Sequence, residues 1–138
     1  MVLDTNVLVA AVISPTGPNA QILQAIVADK VRPYVTSAVV EEYDRVFAYE
    51  RLQYLDKRPV GNVRRLLKAA AIKVKSRGRL KLSDHEEDNR IYECALGAKA
   101  HYIVTENTQH FTTAYKFTKI ITARQLLRVL QADEQPTT

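Results

Sequence analysis

A single cysteine, Cys94, in 138 residues excludes an internal disulfide and agrees with a reducing compartment. No run of about 18 apolar residues occurs, so no segment is suited to crossing a membrane. A charged-then-apolar leader is missing too, because Asp4 and Asn6 interrupt the apolar start, and a cytoplasmic protein is expected. His85, His101 and His110 lack the spacing of zinc ligands. Acidic residues are absent from Lys57 to Ser83. That stretch holds Lys57, Arg58, Arg64, Arg65, Lys68, Lys73, Lys75, Arg77, Arg79 and Lys81, which is 10 of the 20 basic residues of a chain with net charge +5. Such a block reads either as an attractor for a polyanion or as a solvated face with a basic loop. Internal repeats, low-complexity segments and domain linkers are also lacking, so one domain over residues 1–131 is expected, followed by a polar tail at 132–138.

What is present is ordinary globular material, 46% hydrophobic and 25% charged. A domain of this size buries roughly 68–70% of its unfolded surface and needs no covalent staple. Met1 to Leu3 is a very short apolar start. Val7 to Ile13 is continuously apolar and is stopped by Ser14-Pro15, and the pair reads as a buried strand followed by a buried helix. Pro18 opens a second helix, with Ala20, Ile22, Leu23, Ile26 and Val27 on one face. Pro33 to Thr36 reads as a strand, and Ser37 as the cap of a helix whose stripe is Val39, Val40, Tyr43, Val46 and Phe47. Pro59 is expected to open the next helix, with the stripe Val60, Val63, Leu66, Leu67, Ala70 and Ala71, and Lys75 to Leu82 to form a basic connector.

Asp84 and Glu87 fit a capping box for a helix that buries Ile91, Cys94, Ala95 and Ala98. On that stripe Cys94 is a packing residue. Tyr102 to Thr105 and Lys119 to Ile121 complete the strands. Thr122 and Gln125 form a second capping box, before a helix with Ala123, Leu126, Leu127 and Leu130 on one face. Short strands alternating with longer helices predict an α/β fold, a three-layer sandwich around a mostly parallel sheet of four to five short strands.

In an open parallel sheet, ligands bind beyond the carboxyl ends of the strands. Asp4 follows the first strand. Glu106 and Asn107 follow Tyr102 to Thr105. Glu41 and Glu42 lie one turn into the helix after the second strand, and Asp88 lies about one turn past Asp84. Carboxylates gathered at one rim raise one another's pKa unless a cation neutralises them. An all-oxygen set suits Mg²⁺ or Mn²⁺, which can activate a water and stabilise charge on an attacked phosphate. A basic surface beside such a pocket fits a nucleic-acid substrate. Each of these residues also has a plainer reading: Asp4 and Asp84 as helix caps, Glu42 as a solvated helix residue, Asn107 as a turn residue.

Four ordered segments carry a resemblance to the PIN-domain family. Val2-Leu3-Asp4-Thr5-Asn6 resembles its opening strand with Asp-Thr-Asn. Thr36-Ser37-Ala38-Val39-Val40-Glu41-Glu42-Tyr43 resembles its Ser…Glu-Tyr segment and points to Glu42 rather than Glu41. Asp84-His85-Glu86-Glu87-Asp88-Asn89 resembles its Asp…Asp-Asn helix start. Ile103-Val104-Thr105-Glu106-Asn107-Thr108-Gln109-His110-Phe111 resembles its Val-Thr-Gly-Asp or Val-Thr-Gly-Asn strand end, followed by His-Phe. The likeness runs from Val2 to about Leu130, and the ending is similar to a subgroup described as VapC-type toxins of type II toxin–antitoxin pairs. It implies ribonuclease activity dependent on Mg²⁺ or Mn²⁺, with Asp4, Glu42, Asp88 and Asn107 as catalytic and metal-binding residues. It also implies a homodimer and a protein antitoxin.

Two positions depart from the pattern. Asn107 stands where the family usually has a fourth Asp, and an amide oxygen brings no charge. Glu106 stands where a Gly is usual and is the alternative metal ligand. With Met1 only three residues before Asp4 the first strand is unusually short, and a start a few residues upstream is expected. Thr5, Asn6 and Thr105 are candidates for orienting a ligand, and His110 is expected to be structural. Two rival functions remain at this level. One is a fold of this type that holds RNA or a partner without cutting. The other is a phosphatase-like hydrolase with Asp4 as nucleophile, whose usual Asp-x-Asp is broken by Asn6.

Overall fold

The computed structural model describes residues 1–49, 52–76, 78–112 and 117–134. Arg77 of the basic block and positions 135–138 of the expected tail lie outside the described residues. β1 (Val2–Leu3) is only two residues long because Asp4 ends it: the Asp4 side chain accepts from the Thr5 N–H and caps α1 (Thr5–Ile13). The apolar run after Asn6 is therefore the expected buried helix, with Val7, Leu8, Ala11 and Val12 inward. Pro18 opens α2 (Pro18–Val27) as expected, although Val27 at its end is exposed rather than on the buried face.

β2 (Tyr34–Val35) leads into α3 (Ser37–Phe47). Its cap is Thr36, not Ser37: Thr36 has the extended backbone a cap requires, and its hydroxyl accepts from the Val39 N–H at 3.2 Å. Likewise α4 (Lys57–Ala70) starts two residues before Pro59 and is capped by Asp56, which accepts from Arg58 N–H at 3.0 Å. After α4 comes β3 (Ile72–Lys73), a strand the sequence pattern did not separate from its neighbours.

α5 (Glu86–Ala98) also departs from expectation at its start. His85 occupies the cap position and makes no side-chain capping bond, so Asp84 is not the cap. The turn is instead clasped by Asn89, which is fully buried: its Oδ1 accepts from the Leu82 and Ser83 N–H groups at 2.9 and 2.8 Å, and its Nδ2 donates to the Ser83 carbonyl at 2.9 Å. Further along, Gly97 lets the connector pass close to α5, because a Cβ there would stand 2.5 Å from the Lys75 carbonyl oxygen. β4 (Tyr102–Val104), a 3₁₀ turn at Thr108–His110 and β5 (Lys119–Ile121) follow. α6 (Ala123–Glu134) begins with the expected capping box, in which Thr122 N–H donates to Gln125 Oε1 at 2.8 Å and Gln125 N–H to Thr122 Oγ1 at 3.2 Å.

Every strand pair is parallel. β4 lies between β1 and β5, with Val2 opposite Ile103 and Ile103 opposite Ile120; β2 and β3 make a second, two-stranded sheet. The Tyr34 N–H donates to the Met1 carbonyl at 2.9 Å and joins the two. α5 packs on β1, β2 and β4, while α1 packs on α2, α3 and α4. Leu3, Leu8, Ile22, Val39, Cys94 and Ile103 are completely buried, Cys94 as the packing residue anticipated. The α/β class with a parallel sheet among helices is thus the one the chain adopts, and it sets the ends of β1 and β4 side by side.

Candidate active site

Two strand ends form the floor. The Asp4 N–H donates to the Val104 carbonyl at 2.9 Å, tying the end of β1 to the end of β4. The next residue on β4, Thr105, is wholly buried, and its hydroxyl donates to Asp4 Oδ2 at 2.8 Å while accepting from the Asn107 N–H at 3.0 Å. Asp4 Oδ1 accepts from Thr5 N–H at 2.8 Å. Asn6 closes the same turn from the other side, its Oδ1 accepting from Glu106 N–H at 3.2 Å. Asp4 is therefore both the helix cap and an oriented carboxylate, so the two readings of it do not compete. Thr105 and Asn6 hold it and the Glu106–Asn107 turn in one rigid unit.

Two helices supply the walls. On α3, Glu42 is buried and Glu41 is exposed, so the inward acid is the one the motif indicated. Tyr43, next along, donates its hydroxyl to the Leu3 carbonyl and fixes α3 against β1. On α5, Asp88 is 3% exposed, near Ser83 Oγ at 3.5 Å and His110 Nδ1 at 3.9 Å. His85 and His110 stack over one another beside it, with ring centres 4.7 Å apart.

The electrostatics show that these side chains share one region. Burial raises the Asp4 pKa; the bonds from Thr105 and Thr5 and the charge of His110 oppose the rise, and Glu87 adds to it. Burial also raises Glu42, with Arg45 opposing and Glu87 and Asp4 adding. Asp88 is pushed up to about 6, chiefly by burial and then by the charges of Asp4 and Glu87, against His110 and His85. Asp4 at the end of β1 thus acts on both Glu42 of α3 and Asp88 of α5, while burial is the largest cause of the rise in each of the three. Glu87, taken from the sequence only as part of a cap, is a fourth member that acts on all three.

Two features modify the arrangement expected from the sequence. Among the described residues, no group of three or more His, Cys, Asp or Glu side chains stands close enough together to hold a metal ion as placed. Glu42 Oε2 is 2.6 Å from the Arg45 guanidinium, a cation the sequence reading did not consider, and both Asp4 oxygens already accept bonds. The donor chemistry itself, carboxyl and amide oxygens alone, is of the kind a hard cation takes. Asn107 is half-buried and held by its N–H, whereas Glu106 is exposed.

The basic block lies elsewhere. α3 and α4 enclose a groove of about 420 Å³ with Leu8, Val40, Phe47 and Val63 among its lining, bordered by Arg65, Lys68 and Lys73. Arg64 on the same border is paired with Asp44 at 2.8 Å.

The family profile described as PIN domain matches residues 1–109. The chain belongs to the PIN-domain family. The match takes in Asp4, Glu42, Asp88 and Asn107, and the PIN fold is a nuclease-type fold. No curated protein matches the sequence. No helix among the described residues is long and apolar enough to cross a membrane.

Proposed function

We propose that this PIN domain, spanning residues 1–131, is a divalent-metal-dependent ribonuclease that hydrolyses a phosphodiester bond, and that it acts as the toxin of a toxin–antitoxin pair. The observation that supports the nuclease reading is that Asp4, held at the end of β1, adds to the burial that raises the pKa of both Glu42 on α3 and Asp88 on α5. A buried set of acids that repel each other is stabilised by an ion that binds between them. Mg²⁺ or Mn²⁺, when bound, supplies an activated water and charge compensation at the phosphate.

The chain's own groups do the rest. Asp4 is the most firmly held donor, gripped by Thr105 and Thr5. Glu42 and Asp88 face it from separate helices, and Asn107 or Glu106 completes the set from the β4 turn. Arg45 opposes the effect of burial on Glu42 and favours its charged form. In this reading cations of the basic block, exposed Arg65 and Lys68 on α4 among them, would hold phosphates of the RNA backbone.

The toxin role and the homodimer rest on the motif likeness. The antitoxin's docking place in this reading is the groove between α3 and α4, whose apolar lining and basic border fit an amphipathic segment with acidic side chains. Incubating the wild type and Asp4→Asn with RNA, with Mg²⁺ or Mn²⁺ and with chelator, tests the enzyme claim. Cleavage that survives chelation or the substitution rejects it. Sedimentation of the purified chain tests the dimer, and a monomer across the micromolar range rejects it. A second reading, RNA or partner binding without cleavage, is favoured by one observation, the Arg45 pairing that occupies Glu42. It predicts no thermal stabilisation by Mn²⁺, whereas the nuclease reading predicts a metal-dependent rise in melting temperature.

A further inference from the structure

We propose that the stacked rings of His85 and His110 are a platform on which one base of the RNA stacks next to the cleaved bond; this rests on the nuclease reading above. The two rings are 4.7 Å apart and inclined by 22°, the geometry of an aromatic stack. Neither is buried, and the His110 side chain is 40% exposed. Their place is specific: His110 Nδ1 stands 3.9 Å from Asp88 Oδ2, so the pair lies beside one of the candidate site acids.

Each ring is mounted on a fixed segment. His85 sits at the start of α5 with its N–H bonded to Ser83 Oγ at 3.1 Å, and its side chain makes no capping bond that would explain its orientation. His110 ends the 3₁₀ turn, with its N–H on the Asn107 carbonyl at 3.0 Å. The next residue, Phe111, is buried and packs on Tyr92 with ring centres 5.3 Å apart, which anchors the turn in the core. The two segments that carry Asp88 and Asn107 therefore each present one aromatic ring at the same rim. Single-stranded RNA is recognised largely by unstacked bases laid on aromatic faces, and such stacking tolerates any base because each has a π-face. A pair of rings already stacked offers a base a third layer. A mere partner for Asp88 would need no second imidazole behind it.

The test compares a short RNA with the same RNA lacking one base on either side of the cleaved bond, in wild type, His85→Ala, His110→Ala and His110→Phe. Single-turnover cleavage and binding by fluorescence anisotropy are both read, with thermal melting as the check on folding. The wild type is expected to cleave and bind the intact RNA about tenfold better than one of the abasic forms. His85→Ala and His110→Ala should treat both alike, and His110→Phe, which stacks but carries no ionisable proton, should restore the preference. Folded Ala variants that keep the wild-type preference overturn the platform, as does a wild type indifferent to the missing base. A wild type that binds with the preference but cuts nothing keeps the platform and rejects the nuclease reading instead.

Discussion

The rim where β1 and β4 end and the groove between α3 and α4 share helix α3, yet they hold charge under opposite conditions. At the rim Asp4 is half-buried, Glu42 and Asp88 are buried, and polar partners hold the acids in place: Asp4 by Thr105 and Thr5, Glu42 by Arg45. In the groove the floor is apolar and the cations stand on the outside in water. Buried like charges are unfavourable until something of opposite charge arrives, and under the proposed function that partner is a small, hard divalent ion. Exposed cations over apolar surface cost little to maintain and act through long-range attraction and contact area, so the groove is suited to a large partner. The first region should respond to substitution with large, metal-linked effects, the second with small, salt-dependent ones.

The strongest way to break that contrast is Asp4→Asn. Groups that merely orient a metal ligand are typically worth about 10- to 100-fold, so losing the ligand's charge should exceed that in a cleavage assay while the melting curve stays cooperative. Thr105→Val, nearly the same in shape, removes the hydroxyl that aims Asp4; about 10- to 100-fold is expected in activity or in Mn²⁺ affinity measured by titration calorimetry. An unchanged value would mean that Thr5 alone orients the carboxylate.

Asp88 gives the contrast a pH axis. Its pKa is raised from 3.8 to about 6 on folding, so the folded state keeps this proton longer than the unfolded chain does. Stability of the metal-free protein should fall as pH rises through that window, with the deficit retained above it, up to ~3 kcal/mol. Asp88→Asn should consequently raise the melting temperature clearly at pH 8 and hardly at pH 3.5, and added Mg²⁺ should narrow the pH 8 difference by stabilising the wild type alone. A smaller effect is expected from Arg45→Gln. It should lower stability without metal by about 1 kcal/mol, because Glu42 loses its partner, and should increase the gain on adding Mn²⁺ because a competitor for that carboxylate is gone. Smallest is Arg64→Ala in the groove. Its ion pair with Asp44 is half in water, so less than ~1 kcal/mol is expected in urea unfolding, with cleavage unaffected; a larger loss would remove the distinction between the regions.

Part of the rim was legible beforehand from topology, since Asp4 and the Glu106–Asn107 turn follow the ends of β1 and β4, while Glu42 and Asp88 stand on helices and were indicated by the motif. What escaped depended on short-range geometry. A two-residue strand such as Ile72–Lys73 has no periodicity to detect. Thr36 and Ser37 are chemically equivalent caps, and only the backbone decides between them. Asp84 matched a capping pattern, but Asn89 satisfies that turn from inside the helix. Arg45 lies three residues beyond Glu42, a spacing visible in the sequence. Its consequence follows only when Glu42 is known to be buried, since an exposed pair of that kind contributes little.

The hydroxyl of Thr105 reaches a carboxylate 101 positions earlier in the chain. Closing so long a loop is among the later gains of folding, since its entropy must be overcome before the contact stabilises anything. During synthesis Asp4 is made early, but until β4 emerges its side chain has only its neighbour Thr5 to bond. Whatever work depends on the carboxylate so held must therefore wait for a late part of the chain, by chain order alone.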